Sequence, residues 1–245
     1  SGSTGQAKEV GLSAAALLAS AQATNNFLEA KPGESWSLLL PLTHIAGANV
    51  LTRSLELGTD PIDCREINGR YPHADFTAIV PTQLFRALNG DSNLLKHLVS
   101  AKSVLVGGAA LNSTLGNKAR AAGINIVESY GMTETCGGVF YNGLAIGSTS
   151  YYIDENGLIK ISSSMLASTY LNDATGWNSK VKDGYFLTSD RGEIIDGKLK
   201  VLGRTDDVII TGGENISLTY VEKVINQTFK GIECAAFAID DPQWG

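Results

Sequence analysis

The sequence predicts an α/β protein: a layered α/β core, then a β subdomain, then the start of a small, incomplete α+β C-terminal domain. Three observations carry this expectation. Strand-like apolar runs alternate with helix-length segments over the first two-thirds of the 245 residues. From about residue 147 they give way to short strands punctuated by Asn156-Gly157 and Asp196-Gly197. The pattern changes again at Gly203-Arg204-Thr205-Asp206-Asp207. Strands that alternate with helices of about ten residues or more pair in parallel in a layered sheet, whereas Asn-Gly and Asp-Gly close antiparallel hairpins.

In chain order, residues 12–30 are rich in Ala and Leu, with Ser13 placed to cap a helix that ends at Lys31-Pro32-Gly33. Residues 36–40 form a continuous apolar run stopped by Pro41, the signature of a buried strand. Residues 45–57 have helical composition and end at Gly58; residues 77–80 read as a strand, after which Pro81 opens a helix. A strand at 103–106, a helix at 113–122 and a strand at 124–127 complete the alternating part. Strands are then expected at 151–154, 157–162, 184–188, 192–195 and 198–202. A strand at 208–210, a helix at 218–229 and a strand at 235–239 close the chain. The expected domains are 1–203, with its β subdomain from about 147, and 204–245, a hinge with an incomplete C-terminal domain.

A net charge of -6 and the lack of any Lys/Arg cluster exclude the basic footprint of a nucleic-acid partner. An acidic protein that binds a polyphosphate must do so through a local site, because its overall field opposes the ligand. Cys64, Cys136 and Cys234 are widely spaced, without a CxxC, which argues against zinc and a disulfide framework and suits a reducing cytoplasm. The longest apolar stretches, such as residues 104–106 and 235–239, are far short of the roughly 20 residues of a membrane helix. The expected partners are therefore small molecules, with no nucleic acid and no membrane, and a homo-oligomer is left open.

Five segments carry chemistry. Ser1-Gly2-Ser3-Thr4-Gly5-Gln6-Ala7-Lys8 is a glycine- and hydroxyl-rich loop closed by a lysine, suited to a triphosphate, although alone it also reads as a linker. Pro41-Leu42-Thr43-His44-Ile45-Ala46-Gly47 sets a histidine at a strand-to-helix junction. Val106-Gly107-Gly108-Ala109-Ala110-Leu111 leaves a strand through two glycines, and Ser129-Tyr130-Gly131-Met132-Thr133-Glu134-Thr135 follows another strand. Phe186-Leu187-Thr188-Ser189-Asp190-Arg191-Gly192 precedes Gly203-Arg204-Thr205-Asp206-Asp207 by a hairpin.

In this order and spacing the segments resemble the adenylate-forming superfamily of acyl-CoA synthetases, luciferases and adenylation domains, along essentially the whole chain. Within it, Pro41 to Gly47, Leu51-Thr52-Arg53-Ser54-Leu55 and Val106 to Leu111 most resemble the o-succinylbenzoate–CoA ligases of menaquinone biosynthesis. The resemblance implies two half-reactions. A carboxylate attacks the α-phosphate of ATP, with Mg²⁺, to give an acyl-adenylate and pyrophosphate; the thiol of coenzyme A then displaces AMP. It also implies roles. Ser1, Gly2, Ser3, Thr4, Gly5 and Lys8 would hold the β- and γ-phosphates. Glu134 would hold Mg²⁺, an ion commonly bound by one or two carboxylates plus phosphates. Thr133 would bond the α-phosphate, and Ser129, Tyr130 and Gly131 would border the nucleotide. Adenine would lie between Tyr130 and Gly108-Ala109, Asp190 would accept from the ribose, and Arg204 would reach ribose or phosphate. His44, Gly107 and Gly108 would line the acyl pocket, and Asp206 would be the hinge between half-reactions.

Plainer readings stand beside these. His44 could be structural, Glu134 a helix-start carboxylate, Asp190 a turn cap, and Arg204 with Asp206 a local ion pair. Arg53 and Arg86 could bind an anionic substrate or lie on solvated helix faces. Asp75, Asp91 and Asp173 read as turn or cap residues, and Cys136 as packing. Glu9 departs from the glycine common after the loop lysine. The family's late adenylation lysine and the region before the loop have no counterpart, which is expected if the chain is part of a longer enzyme. Three alternatives remain: a ligase for another aryl or fatty acid, an amino-acid-activating domain, and a piece that only binds nucleotide. The second is disfavoured, because no aspartate stands in Pro41 to Gly47 to hold an ammonium group.

Overall fold

In the computed structural model, residues 8–205, 208–211, 214–229, 234–237 and 239 are described. Ser1, Gly2, Ser3, Thr4 and Gly5 of the loop, and Asp206 at the expected hinge, lie outside these described residues. The chain begins β1 (Val10–Gly11), α1 (Ala14–Phe27), β2 (Trp36–Leu38), α2 (Ile45–Glu56), β3 (Ile62–Asp63) and β4 (Phe76–Ile79). It continues α3 (Pro81–Leu88), α4 (Ser92–Ser100), β5 (Ser103–Val106), α5 (Ser113–Ala121), β6 (Ile126–Met132), a 3-10 turn (Thr133–Thr135), β7 (Gly137–Tyr141) and β8 (Leu144–Ala145). Then follow β9 (Ser150–Ile153), β10 (Leu158–Ser162), β11 (Thr169–Tyr170), α6 (Ala174–Lys180) and β12 (Val181–Lys182). The last are β13 (Tyr185–Ile195), β14 (Lys198–Arg204), β15 (Val208–Thr211), β16 (Glu214–Ser217) and α7 (Leu218–Thr228). Contacts divide the chain into two units: Lys8–Ser150 with Ser162–Ser179, and Tyr151–Ile161 with Lys180–Gly245.

The first unit is built on a sheet of order β3-β2-β4-β5-β6-β7-β8. It is parallel from β3 to β6 and antiparallel from β6 to β8. Every residue of β4 and β5 is buried, as a covered parallel sheet requires. Leu84, Leu98, Val104, Ala119 and Ile126 form the heart of the core beneath α3, α4 and α5. Ser13 caps α1 as expected, accepting from Ala16 N at 3.1 Å. The helix opened by Pro81 is followed by α4, which the sequence reading did not anticipate. Gly90 at φ +148° reverses the chain and Asp91 caps α4, accepting from Leu94 N at 2.9 Å. Strand β6 runs past the expected 124–127 because its second half pairs with β7. Antiparallel pairing thus begins before residue 147, and Asn142-Gly143, both left-handed, close the β7–β8 hairpin.

In the second unit β12, β13, β10 and β9 pair in that order, with β14 on β13. The two strands expected at 184–188 and 192–195 are one strand, β13. The irregularity lies between Arg191 and Gly192, where the register with β14 shifts and Gly192 N instead donates to Gly157 O at 3.0 Å. Asp196-Gly197 makes the expected turn, with φ of +50° and +74°. The expected strand at 235–239 is not formed by its described residues. A strand needs a ladder partner, and Ala236 N donates to the Glu222 carboxylate of α7 at 2.8 Å.

Candidate active site

In parallel sheets ligands gather beyond the carboxyl ends of the strands, where side chains and backbone groups leave the pleat. Three of the segments singled out above emerge there in the first unit. After β2 the chain turns through Leu40 and Pro41 to His44, the exposed N-cap of α2, whose side chain makes no capping bond. Gly47 fits there because a Cβ would strike the Pro41 carbonyl. After β5, Gly107 N donates to Ile79 O at 3.2 Å, and a Cβ on Gly107 would lie 3.1 Å from Ser129 O. Gly108 follows at φ +82°, and Gly108, Ala109 and Ala110 are exposed, leaving an open small-residue ledge beside β6. Tyr130, half-buried on β6, has its ring centroid 5.9 Å from that of Phe140.

The turn after β6 holds Glu134, a carboxylate only 9% exposed. Its Oε1 accepts from the Tyr170 hydroxyl at 2.8 Å and its backbone carbonyl accepts from Ala167 N at 2.8 Å. Thr135, fully buried, accepts from Met132 N at 2.9 Å and donates to Gly137 O at 2.7 Å. Cys136 then takes a left-handed conformation, φ +50°. Its carbonyl accepts from Ser20 Oγ of α1 at 3.0 Å and from Asn49 Nδ2 of α2 at 2.6 Å. Two helices thereby pin the turn. Burial pushes the Cys136 thiol up to about 11, so it stays protonated and packs, as expected from sequence. Burial, and then the bond to Glu134, push the Tyr170 hydroxyl well above its ordinary value, keeping it a donor.

Lys8 stands with its Nζ 4.9 Å from the centroid of the Tyr170 ring. The placement follows from β1 pairing with β11, Val10 opposite Tyr170. Tyr170 therefore meets both Lys8 and Glu134, two residues selected from sequence and 126 positions apart in their numbering.

Arg53 departs from the plainer of its two sequence readings. It is 4% exposed, not on a solvated helix face, and its guanidinium stacks 5.0 Å over Trp36 and donates to the Tyr141 hydroxyl at 3.4 Å. Among the described residues it has no carboxylate within ion-pair distance, its Nε lacks a hydrogen-bond partner, and burial lowers its pKa. Arg86 is exposed on α3, in accord with the plainer reading.

In the second unit Asp190 and Arg204 are opposite one another on β13 and β14, with Nη1 and Oδ1 3.4 Å apart. Asp190 is 5% exposed in mid-strand, so it is no turn cap. Among the described residues no group of three or more His, Cys, Asp or Glu could cage a metal ion. One buried carboxylate with an oxygen clear of Tyr170 fits instead an ion that completes its shell with phosphates and water, as Mg²⁺ does. Sequence reasoning missed Tyr170, Thr135, Ser20 and Asn49. Only the hydroxyl of Thr135 carried a local signal, as the last residue of Thr133-Glu134-Thr135.

Residues 1–159 match the family model described as AMP-binding enzyme. The chain belongs to the AMP-binding enzyme family. It is 35% identical over 260 residues to a probable 2-succinylbenzoate–CoA ligase of Mycobacterium tuberculosis, covering 100% of this chain and 67% of that protein. It is 33% identical to the 2-succinylbenzoate–CoA ligase of Escherichia coli, covering 92% of this chain and 51% of the relative. The o-succinylbenzoate CoA synthetase of Bacillus subtilis, solved with its acyl-adenylate intermediate, superposes with a TM-score of 0.84 at 25% identity over 100% of this chain and 56% of that one. The chain thus spans between half and two-thirds of the length of these relatives.

Proposed function

We propose that the protein is, or is part of, an ATP-dependent acid–CoA ligase that adenylates o-succinylbenzoate and transfers the acyl group to coenzyme A, in menaquinone biosynthesis. The observation that carries the reading is the buried Glu134 carboxylate, anchored through Tyr170 beside Lys8, in a chain of the AMP-binding family. The curated relatives named above support the choice of acid.

A Mg²⁺ held by Glu134 would neutralise charge on the phosphates. Lys8, with the loop Ser1, Gly2, Ser3, Thr4 and Gly5, would draw pyrophosphate away as the acid oxygen attacks the α-phosphate. Donors placed in advance stabilise the charge that develops there. Thr133 would bond the α-phosphate, and adenine would lie between Tyr130 and the ledge at Gly108-Ala109. Ser129 and Gly131 would border it, Asp190 would accept from ribose, and Arg204 would reach ribose or phosphate. His44 and Gly107 would line the acyl pocket. The acid carries a second carboxylate, and Arg53, a buried cation with no carboxylate within ion-pair distance among the described residues, would supply its counter-charge. Asp206 would be the swivel between half-reactions, dividing a main domain of residues 1–203 from residues 204–245. Small molecules are the partners in this reading and the cytoplasm the compartment.

The test is hydroxylamine trapping of the acyl-adenylate across a panel of carboxylic acids with ATP. Hydroxamate should form with o-succinylbenzoate and far less with fatty acids. A preference for another aryl or fatty acid would change the substrate, and no acid-dependent trapping would sink the ligase reading for this chain.

A further inference from the structure

We propose that Tyr170 is a positioning residue joining the metal end and the lysine end of the phosphate site: its hydroxyl orients the Glu134 carboxylate and its ring seats the Lys8 ammonium. The inference rests on the reading of Glu134 as the metal ligand. Tyr170 is 2% exposed, and its ring is fixed edge-on against Trp177 at 5.2 Å. The ring's face receives the Lys8 Nζ, while the hydroxyl donates to Glu134 Oε1. Its strand is tied to the segment after Lys8 on both sides: Ser168 N donates to Gly11 O at 2.9 Å and Leu171 N to Glu9 O at 2.7 Å.

Each contact has a physical consequence. A carboxylate with one oxygen held by a buried donor presents the other in a fixed direction, and such outer partners tune metal affinity strongly. A lysine on a flexible stem loses less freedom on binding phosphate if an aromatic face already restrains its head. A tyrosine that only fills space against Trp177 would need no hydroxyl, and phenylalanine would serve. The buried hydroxyl on a carboxylate marks the difference.

The experiment compares wild-type protein with Y170F, E134Q and the double variant, using calorimetric titration of ATP and AMP with and without Mg²⁺. In wild type, Mg²⁺ should tighten ATP binding. In Y170F that tightening should shrink by about tenfold or more, with AMP affinity within about twofold of wild type. The double variant should bind no more weakly than E134Q, because Tyr170 acts through Glu134. Y170L, which also removes the ring, should weaken ATP relative to AMP even without Mg²⁺. An undiminished Mg²⁺ effect in Y170F alongside a reduced one in E134Q would overturn the positioning role alone. An equal loss for AMP, or additive losses in the double variant, would reduce Tyr170 to packing. An undiminished Mg²⁺ effect in E134Q would remove the metal reading, and this inference with it.

Discussion

At the scale of single residues, desolvation separates groups that look alike in sequence. Arg53 and Arg86 both sit on helices, yet only Arg53 is sealed from solvent, over Trp36 and beside Tyr141. Burying a guanidinium without a carboxylate is costly, and an anionic ligand would repay part of that cost. R53Q should therefore raise the KM for the dicarboxylic acid by about ten- to a hundredfold, the worth of a hydrogen bond to a charged group. The KM for ATP should stay near wild type in the same assay. Equal rises for both substrates would make Arg53 a structural cation.

At the scale of elements, Asp75 does more than the turn residue it resembles. It accepts from Ser35 N at 2.9 Å and Ser35 Oγ at 3.1 Å and pairs with Lys102 at 3.1 Å, and Lys102 also pairs with Glu34. Ser35, Asp75 and Lys102 immediately precede β2, β4 and β5, so one carboxylate aligns the starts of three parallel strands. Their opposite ends carry the candidate site. D75A should lower the unfolding free energy by about 1–3 kcal/mol, the cost of stranding such donors, as read by urea denaturation. A loss within about 0.5 kcal/mol would show that the strand starts are aligned without it.

At the scale of the whole molecule, acid should act through His97. Its ring is buried beside Ser37, with Nε2 2.8 Å from Ser37 Oγ, and stacks near Tyr71 at 5.2 Å. Burial, opposed by a backbone hydrogen bond at Pro72 and aided by the charge of nearby His73, holds its pKa below the ordinary value of 6.5. The folded state thus binds a proton less readily than the unfolded chain. The stability this group contributes is present above about pH 6.5 and is lost as pH falls through the folded pKa. Unfolding free energy measured from pH 7.5 downward should decline below about 6.5, and H97Q should flatten that decline. The same slope in H97Q would assign it to other groups.

Much of this protein was legible in its sequence. The alternation of strands and helices, the Ser13 cap and the Asp196-Gly197 turn depend on residues a few positions apart, where periodicity and backbone preference act directly. The segments containing His44, Gly107-Gly108 and Glu134 stood out because their residue types and order are local, and the structure sets them after β2, β5 and β6. Tertiary structure alone decided which groups meet. Tyr170 bonds Glu134 across 36 positions, Asp75 bonds Ser35 across 40, and Arg53 meets Tyr141 across 88. Local preference cannot specify such pairs. The path of the chain brings them together, and exclusion of water then sets whether a charge is solvated, paired or held for a ligand.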